Sequence, residues 1–515
     1  MLHQTCPSAQ VMFISRLWQS HCHHLFHHNK VLIKYNITLH AVSTMSDSKK
    51  SSSASLSLED FDCIGLDIDH TLCKYKLDTF FPLSYDYSAK ILVEEKGYDE
   101  RLLQPFEMHK DLCIKGMVFD SANGDFLKLS DSGIILRASH GSKMMSDIEI
   151  EAKYGTDRQW QHFYQLESTL QQSEKFGYTE NYYDLPFMVL LARMIDLQEQ
   201  KNEGLIKPEI FKDCVEGYVK GFLYEEKKNT ILSACEEEPS KYLEQCSQHL
   251  KTWLRSLHDK CQMVFLLSSA HPHFANSAMN YILGEDWRNY FHICLLQARK
   301  PGFFSTQDPS KRPFYTLVDG QKQEAVTELQ DGQCYLEGNV QLFNQYIQTF
   351  TGKEDPKVLY IGDSIRSDIH PSSVYSNWQS VLVLEEMEVE ELIPNGTCTL
   401  NGNDEETTDK ANIRSGPSQL EREFLLSDQW GSFFGDTLPV QQSKTVTNGC
   451  NIAEANHSPV MVNTLWTRLM RKHASIAIPK LDYMADFPTY FKFETFASSD
   501  WRKGFHPGMP KNVTC

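Results

Sequence analysis

Apolar runs too short to be helices recur along the chain at Ile64–Ile68, Gln262–Leu267, His292–Leu296, Val358–Ile361 and Ser380–Leu384. None has a helical period, and polar or glycine-bearing segments bound them, as expected of buried strands. A helical stretch opened by His271-Pro272 continues through Ile282. Strands alternating with helices call for an α/β fold on a parallel sheet.

Roughly 190 residues of different character separate the first run from the second. Within them Tyr87–Lys96 is helix-like, and Asp125–Arg137 reads as two short strands joined at Ser132-Gly133, a hairpin signal. Tyr182–Leu197 is apolar and helical, with Pro186 in its first turn. Tyr242–His258 sets Leu243, Leu250, Trp253, Leu254 and Leu257 on one helical face. This large, mostly helical insert enters directly after the first strand, where it would cover a site at the sheet's edge; an ordinary extra domain is the alternative.

The expected organisation is an extension over 1–58, a first part of the core over 59–85, a cap over 86–259 and a second part of the core over 260–400. An acidic linker or loop over 401–425 follows, then a segment over 426–515 that packs on the core through Trp430–Phe434 and Ile476–Phe496. The extension carries His21-Cys22-His23-His24 and His27-His28, whose composition suits a metal, but a coreless disordered segment is the simpler expectation. In residues 1–44 Lys and Arg outnumber the acids, a weak mitochondrial transit signal against which the single arginine, Arg16, counts, and Met45 is an alternative start.

With 515 residues the chain can bury a large core, and 68 Asp+Glu against 50 Lys+Arg give a net charge of −18. That balance disfavours a nucleic-acid partner bound through phosphates. The 14 cysteines include no C-x-x-C pair, so reduced structural thiols in the cytoplasm are expected. No apolar run reaches the length of a membrane span. A homo-oligomer is compatible with all of this.

Polar residues cluster where the strands end. Asp67, Asp69 and Thr71 form D-x-D-x-T at the end of the first run, and residues two apart on an extended segment share a side. Ser268 and Ser269 follow the second run, Lys300 the third, and Asp363 and Asp368 the next in G-D-x(4)-D. Asp67 and Asp363 can share Mg²⁺, which takes one or two carboxylates plus phosphate oxygens and waters. Ser268 and Lys300 suit a phosphate. Two neighbouring carboxylates cannot both remain free anions without a cation or a shared proton. With Mg²⁺ on one, Asp67 becomes the nucleophile and Asp69 the general acid, then base.

This order resembles the haloacid dehalogenase (HAD) superfamily of phosphohydrolases. IGLDIDHTLCKY, the FLKL and ILRASHG strands, NYYDLP, ARKPGFF and YIGDSIRSDI are similar, within it, to the cytosolic purine 5′-nucleotidase-like family, from Phe61 to Phe496. The resemblance implies a Rossmann-like HAD core, a cap inserted after the first motif, Mg²⁺ and hydrolysis of a small phosphomonoester such as a nucleoside monophosphate through an aspartyl-phosphate. It implies that Asp67, the Asp69 backbone carbonyl and Asp363 ligate the metal and that Asp368 orients the metal's water shell. Ser268 and Lys300 match its phosphate binders. Ser268-Ser269 stands where the family carries Thr-Asn, keeping the hydroxyl and losing the amide. Base recognition would come from the cap, with Phe163, Tyr182 and Tyr183 available to stack and Arg137 and His140 available to a phosphate or base. The same chemistry on another phosphoester, or a low-turnover scaffold that retains the site, are the alternatives.

Overall fold

A computed structural model of the protein describes residues 53–201, 209–222, 230–260, 263–318, 320–394, 419–438 and 460–515. The histidine cluster, most of the expected extension and residues 401–418 of the expected linker lie outside the described residues.

The first core strand is β1 (Cys63–Leu66). The insert supplies β2 (Met117–Asp120), β3 (Asp125–Leu129), β4 (Ile135–His140), β5 (Lys143–Met144) and β6 (Phe176–Tyr178). The chain returns through β7 (Met263–Leu267), β8 (Ile293–Leu296), β9 (Phe314–Val318), β10 (Gln321–Val326) and β11 (Cys334–Glu337). Then come β12 (Val358–Gly362), β13 (Gln379–Val383) and β14 (Ile476–Ile478).

β1 and β7–β14 form one sheet in the order β10-β9-β11-β8-β7-β1-β12-β13-β14. Every neighbouring pair from β11 across to β14 is parallel, and β9 runs antiparallel to both of its neighbours, β11 and β10, at one edge. β1, β7, β8 and β12 are buried along their whole length, as strands covered on both faces must be. The fold is therefore α/β with a Rossmann-like parallel core. The strand order runs outward from β1 through β7, β8 and β11, then reverses to β12 on the other flank. Open sheets place their ligands at the strand ends where that reversal occurs.

The helices that matter below are α1 (Leu77–Lys96), α2 (Asp184–Lys201), α3 (Ile210–Gly221), α4 (Gln248–Lys260) and α5 (Pro272–Leu283), with α6 (Val340–Thr351) and α7 (Leu465–His473) later in the chain. α1 packs against α2 and α3. The insert also holds a five-stranded antiparallel sheet, β5-β4-β3-β2-β6, of which the expected hairpin is the β3–β4 part. The helix expected over Tyr242–His258 starts later. Ser247 Oγ accepts from the Leu250 backbone N–H at 3.0 Å and caps α4, while Leu243 forms a bridge to Tyr75 instead. α4 still buries Leu250, Trp253, Leu254 and Leu257.

The C-terminal segment touches both sheets. β14 lies parallel to β13 at the core's edge. Asp436, on the strand Gly435–Thr437, reaches the insert's sheet: its carboxylate accepts from Lys128 Nζ at 2.7 Å and from Arg137 Nε at 2.7 Å.

Candidate active site

Asp67 leaves β1 with its backbone N–H donating to the Ile361 carbonyl at 3.0 Å, so the β1–β12 pairing carries through to it. The chain then turns sharply, with the N–H groups of Leu72 and Cys73 donating to the Ile68 carbonyl and His70 at φ 50°. Asp363 leaves β12 beside it. The expected carboxylates thus emerge from the two central strands on either side of the strand-order reversal.

Lys300, in the loop after β8, joins Asp67 to Asp368. Its Nζ lies 2.8 Å from Asp67 Oδ2 and 2.6 Å from Asp368 Oδ1, and donates to Tyr360 OH at 2.9 Å. Tyr360 OH also lies 2.8 Å from the Leu267 carbonyl oxygen and 3.0 Å from Asp368 Oδ1. Asp368 Oδ2 accepts from the Ser364 N–H at 3.2 Å. Ser268 is buried after β7, its Oγ accepting from the Ala270 N–H at 3.2 Å. Ser269 Oγ accepts from the Lys300 backbone N–H at 2.9 Å and fixes that loop.

The electrostatics are unbalanced. Burial pushes the Asp67 carboxyl up to about 7, with Asp368 and Asp69 adding to the rise and Lys300 opposing it. Burial, then Asp368 and Asp67, raise Asp363 well above the usual carboxylate range. Burial alone would lower the Lys300 ammonium, but Asp368 and Asp67 raise it overall. One ammonium cannot offset three buried carboxylates. Asp67, Asp363 and Asp368 each offer an oxygen within 4.8 Å of the others, and Asp67 Oδ1 is buried with no hydrogen-bond partner. An all-oxygen donor set with a charge deficit and an orphaned acceptor fits a hard divalent cation.

Asp69 is held differently. Its Oδ1 lies 2.8 Å from Tyr75 OH and 3.0 Å from Tyr183 OH, and the two phenol oxygens are 2.6 Å apart. Burial raises its carboxyl, opposed by these two phenols. Tyr183 comes from the insert, just before α2. A second contact from the insert is Glu180, which accepts from Ser364 Oγ at 2.5 Å, directly after Asp363. Sequence reasoning missed Tyr75, Tyr183, Tyr360 and Glu180 in these positions. Tyr360 alone left a trace, as the one polar-tipped residue in an otherwise apolar strand.

The residues expected to recognise a base are committed elsewhere. The Tyr183 ring is enclosed by Tyr75, Phe80 and Phe222, each centroid 5.6 Å away, and Tyr182 carries the Lys115 ammonium 3.9 Å over its ring. Phe163 is buried in the insert's own core. Arg137 is bound to Asp436 and to the Gln429 carbonyl, and His140 sits between Asp125 at 2.6 Å and Glu199 at 2.8 Å.

Among the described residues no helix is long and apolar enough to cross a membrane. The chain is 35% identical to human 5′-nucleotidase domain-containing protein 1 over 458 residues, covering 88% of this chain and 96% of that protein. The bovine protein of the same name is 34% identical over the same shares. Human 5′-nucleotidase domain-containing protein 2 is 26% identical over 346 residues, 65% of this chain and 62% of that protein. The sequence pattern of the 5′ nucleotidase family matches residues 52–474, which takes in every strand-end residue described above, from Asp67 to Asp368. The chain belongs to the 5′ nucleotidase family.

Proposed function

We propose that the protein is a Mg²⁺-dependent phosphomonoester hydrolase of the HAD type, with nucleoside 5′-monophosphates as its substrate class. The observation that carries this is the buried Asp67–Lys300–Asp368–Asp363 cluster at the strand-order reversal. The family membership and the names of the relatives support the choice of substrate.

Asp67 and Asp363 would hold the metal, with the Asp69 backbone carbonyl completing the protein's share. Mg²⁺ bound there supplies positive charge to the phosphoryl oxygens. Asp67 attacks phosphorus and displaces the alkoxide, which takes the proton of Asp69. Asp69, now a base, removes a proton from water as that water attacks the phosphorus of the aspartyl-phosphate. Inorganic phosphate leaves and Asp67 is regenerated. Lys300 supports charge at the phosphoryl group and Ser268 offers it a hydroxyl. Asp368 holds Lys300 and, in this scheme, orients the metal's water shell. Ser269 acts through the Lys300 backbone. The insert serves as a cap, its Tyr183 and Glu180 reaching the motifs of the core.

The enclosed rings of Tyr182 and Tyr183 favour a second reading, in which the ester is a small sugar or cofactor phosphate that needs no stacking platform. A panel of nucleoside monophosphates, sugar phosphates and cofactor phosphates with Mg²⁺ separates the two. Turnover is expected to vanish on chelation and in Asp67→Asn. An Asp67→Asn protein with wild-type rates would remove the nucleophile assignment, and inertness across the whole panel would favour a scaffold that retains the site.

A further inference from the structure

Asp69 has two carboxyl oxygens, and the structure treats them unequally. Oδ1 faces both phenols, Tyr75 at 2.8 Å and Tyr183 at 3.0 Å, and the two hydroxyls lie 2.6 Å from each other; with one proton apiece, Tyr183 donates to Tyr75 and Tyr75 donates to Oδ1. A carboxylic acid carries its proton on one oxygen only. An oxygen already accepting a hydrogen bond from a Tyr75 hydroxyl that Tyr183 backs is a poor place for it. The proton of the acid form therefore resides on Oδ2.

We infer that Tyr75 and Tyr183 are positioning residues for the acid–base step, fixing the Asp69 carboxyl and directing its proton to Oδ2; this rests on the phosphatase reading above. Tyr75 belongs to the loop that carries Asp69, whereas Tyr183 arrives from the cap. The acid of the core is thus in register only when the cap supplies its phenol. Packing holds both rings independently of their hydroxyls. Phe80 lies 4.8 Å from Tyr75 and 5.6 Å from Tyr183, the His70 ring lies 4.7 Å and 5.1 Å from them, and Tyr218 OH donates to the Tyr183 carbonyl. Replacing either tyrosine by phenylalanine removes a donor and leaves the wall.

A positioning role predicts a dependence on the leaving group that mere loss of packing does not. An alkoxide leaves slowly without a proton, whereas 4-nitrophenolate leaves unaided. kcat/KM, which reports the steps up to cleavage of the ester, is measured on the common nucleoside 5′-monophosphates and on 4-nitrophenyl phosphate for the wild type, Tyr75→Phe and Tyr183→Phe. General acid catalysis is typically worth about 10²–10⁴-fold, so loss of one orienting donor is expected to cost about tenfold on the alkyl esters. On 4-nitrophenyl phosphate the loss is expected to stay within about twofold. Equal losses on both esters, or no loss on either, would overturn the role while leaving the phosphatase reading intact. A wild type that cleaves neither ester would overturn both. Should one variant fail to fold, the other carries the same test.

Discussion

Gly362 ends β12 where a Cβ would stand 2.6 Å from Asp368 Cγ, and the carboxylate that anchors Lys300 fits only because that side chain is missing. Gly362→Ala is expected to push Asp368 off Lys300. Overpacking of this kind costs about 1–3 kcal/mol of stability. Thermal unfolding should register that cost, and kcat/KM should fall by far more than the stability loss would explain. At this scale the sequence was informative about charge and silent about hydrogen bonding. Asp67, Asp69, Lys300, Asp363 and Asp368 stand at strand ends in an order that spacing reveals. Tyr183 lies more than a hundred positions from its acceptor, and only the packing of α2 against α1 brings it to Asp69.

Among the elements, the core strands were legible because burial on both faces leaves runs of Val, Ile, Leu and Phe. β10 was not: Gln321–Val326 is an exposed edge strand with no apolar alternation, and its place in the sheet depends on pairing with β9. β14 was recognisable only as part of a folded tail, since three residues carry no period. The strand Gly435–Thr437 was equally opaque, yet it secures the insert's sheet. Asp436 lies between Lys128, which is buried, and Arg137, neighbours across β3 and β4. Burial lowers the Lys128 ammonium to about 8, against the pull of Asp436. Asp436→Ala leaves that ammonium buried and unpaired, a loss expected to cost about 3–5 kcal/mol. Chemical denaturation should show the drop, and Asp436→Asn, which keeps the shape and part of the hydrogen bonding, should show a smaller one.

For the molecule as a whole, buried carboxyls set the response to pH. Burial raises Glu385 to about 8, opposed by Lys74, and raises Glu180 to about 7, opposed by its bond from Ser364. Both start from an ordinary value of 4.5. A folded-state pKa above the unfolded one means that the folded protein binds more protons in between. The stability these groups contribute is complete below their unfolded value and is lost as pH rises through about 7 for Glu180 and about 8 for Glu385. Tm is therefore expected to fall between roughly pH 4.5 and pH 8. Glu385→Gln, which cannot ionise, should flatten the upper part of that fall.

The sheet order also dictates when the site can exist during synthesis. β1 leaves the ribosome first among the core strands, but its flanking partners β7 and β12 lie some 200 and 300 residues downstream, about 15–60 s away for the farther one at ordinary elongation rates. The whole insert emerges in that interval, ahead of the Asp436 that pairs with its Lys128 and Arg137, while an apolar β1 waits without a neighbour on either side. In a nascent chain β1 therefore has both its neighbours only once Val358–Gly362 arrives. A chain released before that point lacks both Asp363 at the site and the Asp436 that secures the insert's sheet.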